Sequence, residues 1–347
     1  MAKMEEKVVI EVANNNTKAP IPAPRIAGLF VLFFLIAFGL GYPTLNRYDP
    51  RQVPGLADVK SYSAMVAGEP FVGQPHVRFR VLVPWIARPF YYLVRGRSGS
   101  WDPVMFGLLA ANSLLVATTA ILIVILGTGE VGYAAGLVAA LIYLLNFAVP
   151  NLRLVGLVDA GEGLFLLALL WSLSSGSFWT LTAIAALGTL TKESFVPFGI
   201  VFTATWWIAS LKKQRSPLRN ALWILASWIV SSATMIVLHR VITGAFQNPL
   251  TFVARGHSHY LDQLSDSLFD RNLLYIFVWL LPLGLPRILR FRKSWLIPAA
   301  SACVAAFVLD AYYSGDFGTV GRALFSIAGP LLSLSAATLL LDGARAG

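Results

Sequence analysis

Charge is what this chain has least of. Only 13% of its 347 residues are Asp, Glu, Lys or Arg, against about 25% in an ordinary soluble domain. Hydrophobic residues make up 57%, and the mean hydropathy is +0.69. That balance excludes a water-soluble globular fold and predicts an all-α, polytopic integral membrane protein. Cysteine is nearly absent too: Cys303 is alone, so no intramolecular disulfide forms and the chain carries no redox signal. There are four histidines. The two in Gly256-His257-Ser258-His259-Tyr260, spaced two apart with no cysteine beside them, fall short of a metal-ligand pattern. No P-loop, Rossmann glycine pattern, paired-cysteine motif or serine-hydrolase elbow occurs. The net charge of +10 does not argue for nucleic acid, because the basic residues sit at the ends of apolar runs, where membrane orientation and anionic lipid explain them.

What is there is a series of apolar runs. A window of about 20 residues gives roughly ten spans, at 26–43, 104–127, 132–150, 158–175, 177–191, 195–211, 220–241, 272–288, 294–313 and 322–341. Residues 1–25, with Asn14 to Asn16 and Pro20, Pro22 and Pro24, read as a disordered cytoplasmic tail. Residues 26–347 read as one transmembrane domain, with 44–103 and 242–271 as extracytoplasmic loops. With ten spans, Lys212, Lys213, Arg215, Arg219, the run from Arg287 to Lys293 and Arg345 fall on the side of the N-terminal tail. The positive-inside rule makes that side cytoplasmic.

The polar residues then sort to the opposite face. They comprise the first loop, Asn151 to Arg153 with Asp159 and Glu162, the pair Lys192 and Glu193, the loop from Gly244 to Arg271, and Tyr312 to Arg322. Acidic groups near a membrane are costly unless they face water or a partner, so Asp159, Glu162 and Glu193 suggest a shared polar cavity. Lys192 and Glu193 also fit a plainer role as helix-end charges that snorkel to water. The acidic residues Asp262, Asp266 and Asp270, spaced by four, suggest an amphipathic helix in the second loop, either a solvated face or a mobile cover.

The densest polar stretch is Leu45 to Arg80. After Pro54-Gly55, residues 58–67 can start a helix with Asp58 in its cap or first turn, where a carboxylate meets unpaired amides. Asp58 and Tyr62, four apart, share a face of it. Residues 77–94, apolar and aromatic but interrupted by Pro84 and Pro89, predict a helix lying in the outer interface. Asp58 equally fits a helix cap alone, and Arg78 and Arg80 fit interfacial anchors.

Asp58-x-x-x-Tyr62, then Pro75-x-x-Arg78-Phe79-Arg80-x-x-x-Pro84 and Lys192-Glu193 in a many-spanning chain, resemble the GT-C superfamily of membrane glycosyltransferases. The resemblance is to small bacterial relatives of the protein mannosyltransferases and of the lipid A aminoarabinose transferase. It implies a sugar transferred from a polyprenyl-phosphate donor, at the extracytoplasmic face of a prokaryotic inner membrane, to a glycan, lipid or protein acceptor. It implies that Asp58, or in its place Asp49, is the catalytic base, since a carboxylate within reach can take the acceptor's proton as the sugar bond forms. It also implies that Arg78, Arg80, Lys192 and Arg322 hold the donor phosphate, with Tyr62, Asp159, Glu162 and Glu193 in support. Some relatives carry two adjacent acidic residues where this chain has Asp58-Val59. These residues establish no cofactor, and a divalent metal stays open. The competing class is a transporter or flippase for a lipid-linked or anionic substrate, which would show internal repeats or paired broken helices. A non-catalytic subunit of a membrane complex would use the loop for docking.

Overall fold

The computed structural model describes residues 21–54, 56–97, 99–244, 265, 268–269, 271–313 and 319–346. Every element among them is helical. In chain order the helices are α1 (Ala23–Gly41), α2 (Asp58–Ala67), α3 (Leu82–Val94), α4 (Pro103–Glu130), α5 (Tyr133–Leu145), α6 (Asp159–Ser175), α7 (Thr180–Thr189), α8 (Phe195–Ser210), α9 (Pro217–Thr243), α10 (Arg271–Phe277), α11 (Leu280–Ile288), α12 (Lys293–Tyr313) and α13 (Thr319–Ala346). Single-turn segments at Pro75–Phe79 and Val149–Arg153 complete the parts that matter for the site. The second loop's predicted helix, with His257 and His259, lies outside the described residues, as does the tail up to residue 20.

Five helices are long and apolar enough to cross a membrane: Ala23–Gly41, Pro103–Glu130, Phe195–Lys213, Pro217–Thr243 and Val320–Ala344. Their environments differ. The most apolar stretch of α4 is 78% buried, whereas that of α1 is 11% buried, so α4 is the hub and α1 an outer helix. Against α4 pack α1, α3, α5 and α6; α13 closes the other side against α5, α6, α11 and α12. Leu32 and Leu35 on α1, and Leu222, Leu225, Ile229, Val237 and Val241 on α9, stay exposed. Unburied rows of this kind suit a hydrocarbon surround.

Two of the predicted spans differ in form, and proline is the reason. The run 272–288 is two helices, α10 and α11, because Pro282 has no N–H to donate and its ring collides with the carbonyl of Val278. Likewise 132–150 ends early, at Leu145: Pro150 blocks continuation through Asn146, and the chain passes into a short π-type segment. The amide of Asn146 repairs this break, donating to Ile276 O of α10 at 2.9 Å and accepting from Ala148 N at 2.9 Å.

The helix expected at 58–67 is α2, with Asp58 in its first turn and Gly68, at φ +76°, turning the chain away. The interfacial helix expected at 77–94 is shorter and half-buried. Ala87 and Tyr91 face α4, where Gly107 lets the backbones meet, while Trp85, Tyr92 and Leu93 face out.

Candidate functional site: two ion clusters at one end of the bundle

Backbone contacts decide which polar residues meet. Leu82 N, opening α3, donates to Leu190 O at 3.0 Å, which fastens the first loop to the segment between α7 and α8. Gly161 in the first turn of α6 lies so close to Thr191 that a Cβ there would stand 2.6 Å from its Cγ2. Residues 190–194 are therefore clamped between the loop and α6, and Lys192 and Glu193 point into different clusters.

Glu193 belongs to the first cluster. The Arg80 guanidinium donates from Nε to its Oε2 at 2.8 Å and from Nη2 to its Oε1. Arg80 Nη1 donates to Asp58 Oδ2 at 3.1 Å and to the Tyr62 hydroxyl at 3.0 Å. Four bonds thus occupy the fork of an arginine that carries five N–H donors. Asp58 and Tyr62 meet it together because they are one helical turn apart. Arg80 is buried, while the side chains of Asp58 and Glu193 are each 36% exposed. Asp58 Oδ1 has no hydrogen-bond partner among the described residues. Burial alone would raise the Glu193 carboxyl, but the charge and hydrogen bonds of Arg80 outweigh it and bring it down to about 2. Burial pushes the Tyr62 phenol up, against the pull of Arg80, so it stays protonated. His76, half-buried beside them, is pushed down chiefly by burial and is neutral at physiological pH.

Lys192 belongs to the second cluster. Its Nζ lies 3.1 Å from Asp159 Oδ1 and 3.7 Å from Glu162 Oε2, and Arg322 Nη1 lies 3.5 Å from Asp159 Oδ2. Ser194 donates to Glu162 Oε1. Asp159 and Glu162 are buried. Two carboxylates and two cations cancel here, as buried charge requires. Ser194 carries no mark in the sequence that sets it apart from the chain's other serines; only its partner, Glu162, reveals it.

The remaining candidates are elsewhere. Arg78 is exposed, its guanidinium 5.9 Å from the Phe71 ring centroid. Arg78 and Arg80 part because a 3₁₀ turn repeats every three residues, so positions two apart face different sides. Asp49 accepts from Arg51 N and Nε at 3.0 and 2.8 Å, and Arg51 also pairs with Asp102, which caps α4 through Val104 N and Met105 N. It anchors the loop to a helix start, away from Arg80. His239, buried on α9, stacks on Phe79 at 3.6 Å between ring centroids, which ties α9 to the same turn.

No group of three or more His, Cys, Asp or Glu side chains suited to a metal occurs among the described residues. No protein-family model, characterised protein or solved structure matches the chain.

Proposed function

We propose that the protein is a membrane glycosyltransferase of about ten spans, with cytoplasmic termini. Its site, at the extracytoplasmic face of a prokaryotic inner membrane, takes its sugar from a polyprenyl-phosphate donor. The observation that carries this reading is the state of Asp58: one oxygen is fixed by Arg80, the other is open, and the side chain is partly exposed. A general base needs this combination of fixed geometry and access. Asp58 Oδ1 takes the proton of an acceptor hydroxyl or amine as the acceptor bonds to the sugar's anomeric carbon. The bond from that carbon to the phosphate oxygen breaks, and the polyprenyl phosphate leaves with the electron pair. Attack opposite the leaving group inverts the anomeric centre.

Arg80 has a different part from the one its sequence context implied. Its donors are committed to Glu193, Asp58 and Tyr62, so it acts as the brace that aims the base. Phosphate contact falls to Arg78, exposed on the same turn and without a carboxylate among the described residues. Lys192 and Arg322 stay committed to Asp159 and Glu162 in the buried cluster, which supports the segment that carries Glu193. The test is transfer by Asp58→Asn: a loss of about 100- to 10,000-fold with unchanged thermal stability is expected, and undiminished transfer refutes the role.

One observation favours a second reading. The near-saturation of Arg80 by its own chain also suits a structural brace beneath a docking loop, as in a non-catalytic subunit. In that case Asp58→Asn would leave transfer untouched and weaken assembly with the partner.

A further inference from the structure

Three Lys or Arg side chains are buried among the described residues: Arg80, Lys192 and Arg153. The first two face carboxylates. Arg153, 2% exposed in the turn between α5 and α6, has no carboxylate within ion-pair distance among the described residues. Its protein acceptors are two neutral hydroxyls: Nη1 donates to Tyr143 and Nη2 to Ser326 at 3.1 Å. Three of its five N–H groups therefore have no acceptor among the described residues.

The surroundings hold the guanidinium but do not neutralise it. Its central carbon lies 4.9 Å from the Phe325 ring centroid and 5.4 Å from that of Tyr143, and the two rings are themselves stacked. Cation–π contacts of this kind return only part of what burying a charge costs, even after relaxation. Attraction to the rings does not close that gap. Gly163 on α6 leaves the space: a Cβ there would lie 2.5 Å from Nη1 and 2.7 Å from Nη2. A place is kept for a cation whose counter-charge the described chain does not supply.

We propose that Arg153 is the centre of an anion site that binds a phosphate group, its free N–H donors gripping two phosphate oxygens as a planar fork does. Phosphate is the class favoured here because the fork offers more donors than a carboxylate's two oxygens take up, and because the apolar helices suit a bilayer, whose headgroups carry phosphate. The site holds whether or not the neighbouring clusters transfer sugar. It adjoins them through α13, where Ser326 is one turn from Arg322.

The test uses the full chain, purified in a neutral detergent, with thermal unfolding measured against inorganic phosphate. The same measurement is made in phosphate-free detergent micelles with and without added phosphatidic acid. The wild type is expected to gain stability with the phosphate species, and Arg153→Gln to lose that gain while being at least as stable as the wild type without anion. Protection by phosphatidic acid alone identifies a lipid headgroup as the source, and protection by both identifies a site open to free phosphate. Should Arg153→Gln fail to fold, Gly163→Ala keeps the charge but places a methyl against the guanidinium, and is expected to abolish the protection. No protection of the wild type by either phosphate, or equal protection of every variant that folds, overturns the proposal.

Discussion

Arg80 shows how much of the candidate site turns on one side chain. It joins Asp58 and Tyr62 of α2 to Glu193, residues 22, 18 and 113 positions away. Arg80→Met leaves two carboxylates facing each other without a cation. Because both are about a third exposed, the expected loss is about 2 kcal/mol, below the 3–5 of a wholly buried pair, measurable as a fall in unfolding temperature. Arg80→Lys keeps charge but loses the fork, so transfer is expected to fall at least about tenfold with a smaller stability change. Glu193 gives a pH signature. Its carboxyl is held at about 2 when folded, below the ordinary value near 4.3, so its contribution is complete above that value and fades as pH falls toward 2. Glu193→Gln is expected to flatten the acid limb of a stability–pH curve over that window. Much of this was legible in the sequence: the spacing of Asp58 and Tyr62 puts them on one face, and Lys192-Glu193 stands out in an apolar run. The inward turn of Arg80 and outward turn of Arg78 were not, since the two have the same side chain and only the 3₁₀ repeat separates them. The burial of Arg153 was equally hidden, because its partners lie on α5 and α13.

Helices are the part of the fold that hydropathy reads best, and their breaks are what it reads worst. A 20-residue average sees 272–288 as one apolar run, but a single missing N–H at Pro282 splits it. Small residues are likewise invisible to hydropathy and decisive for packing. Gly127 on α4 and Gly136 on α5 face each other so closely that a Cβ on the first would lie 2.6 Å from the Cα of the second, and one on Gly136 would lie 2.9 Å from Val124 O. Without hydrophobic drive between helices in lipid, such close backbone approach is a main source of association. Gly136→Leu is therefore expected to cost about 1–3 kcal/mol by overpacking, seen as a lower unfolding temperature. An unchanged temperature would show that α4 and α5 can separate freely. Gly129, with nothing near its Cβ position, is the control.

Across the whole molecule, the clamp of residues 190–194 between the first loop and α6 puts both ion clusters at one end of the bundle, with α4 buried beneath. The membrane class followed from composition. Which end is which rests on basic residues, and labelling decides it: in a Cys303→Ala background, Lys60→Cys and Arg97→Cys are expected to react with an impermeant thiol reagent in intact cells, and Lys213→Cys only after lysis. The reverse pattern would place the clusters in the cytoplasm. The most direct test of the proposed activity is mass spectrometry of polyprenyl-phosphate hexose in membranes carrying the wild type or Asp58→Asn. Conversion of the donor to polyprenyl phosphate, with the sugar recovered on an acceptor, is expected for the wild type and lost in a folded Asp58→Asn. Equal conversion by both would contradict the assignment of Asp58 as the base.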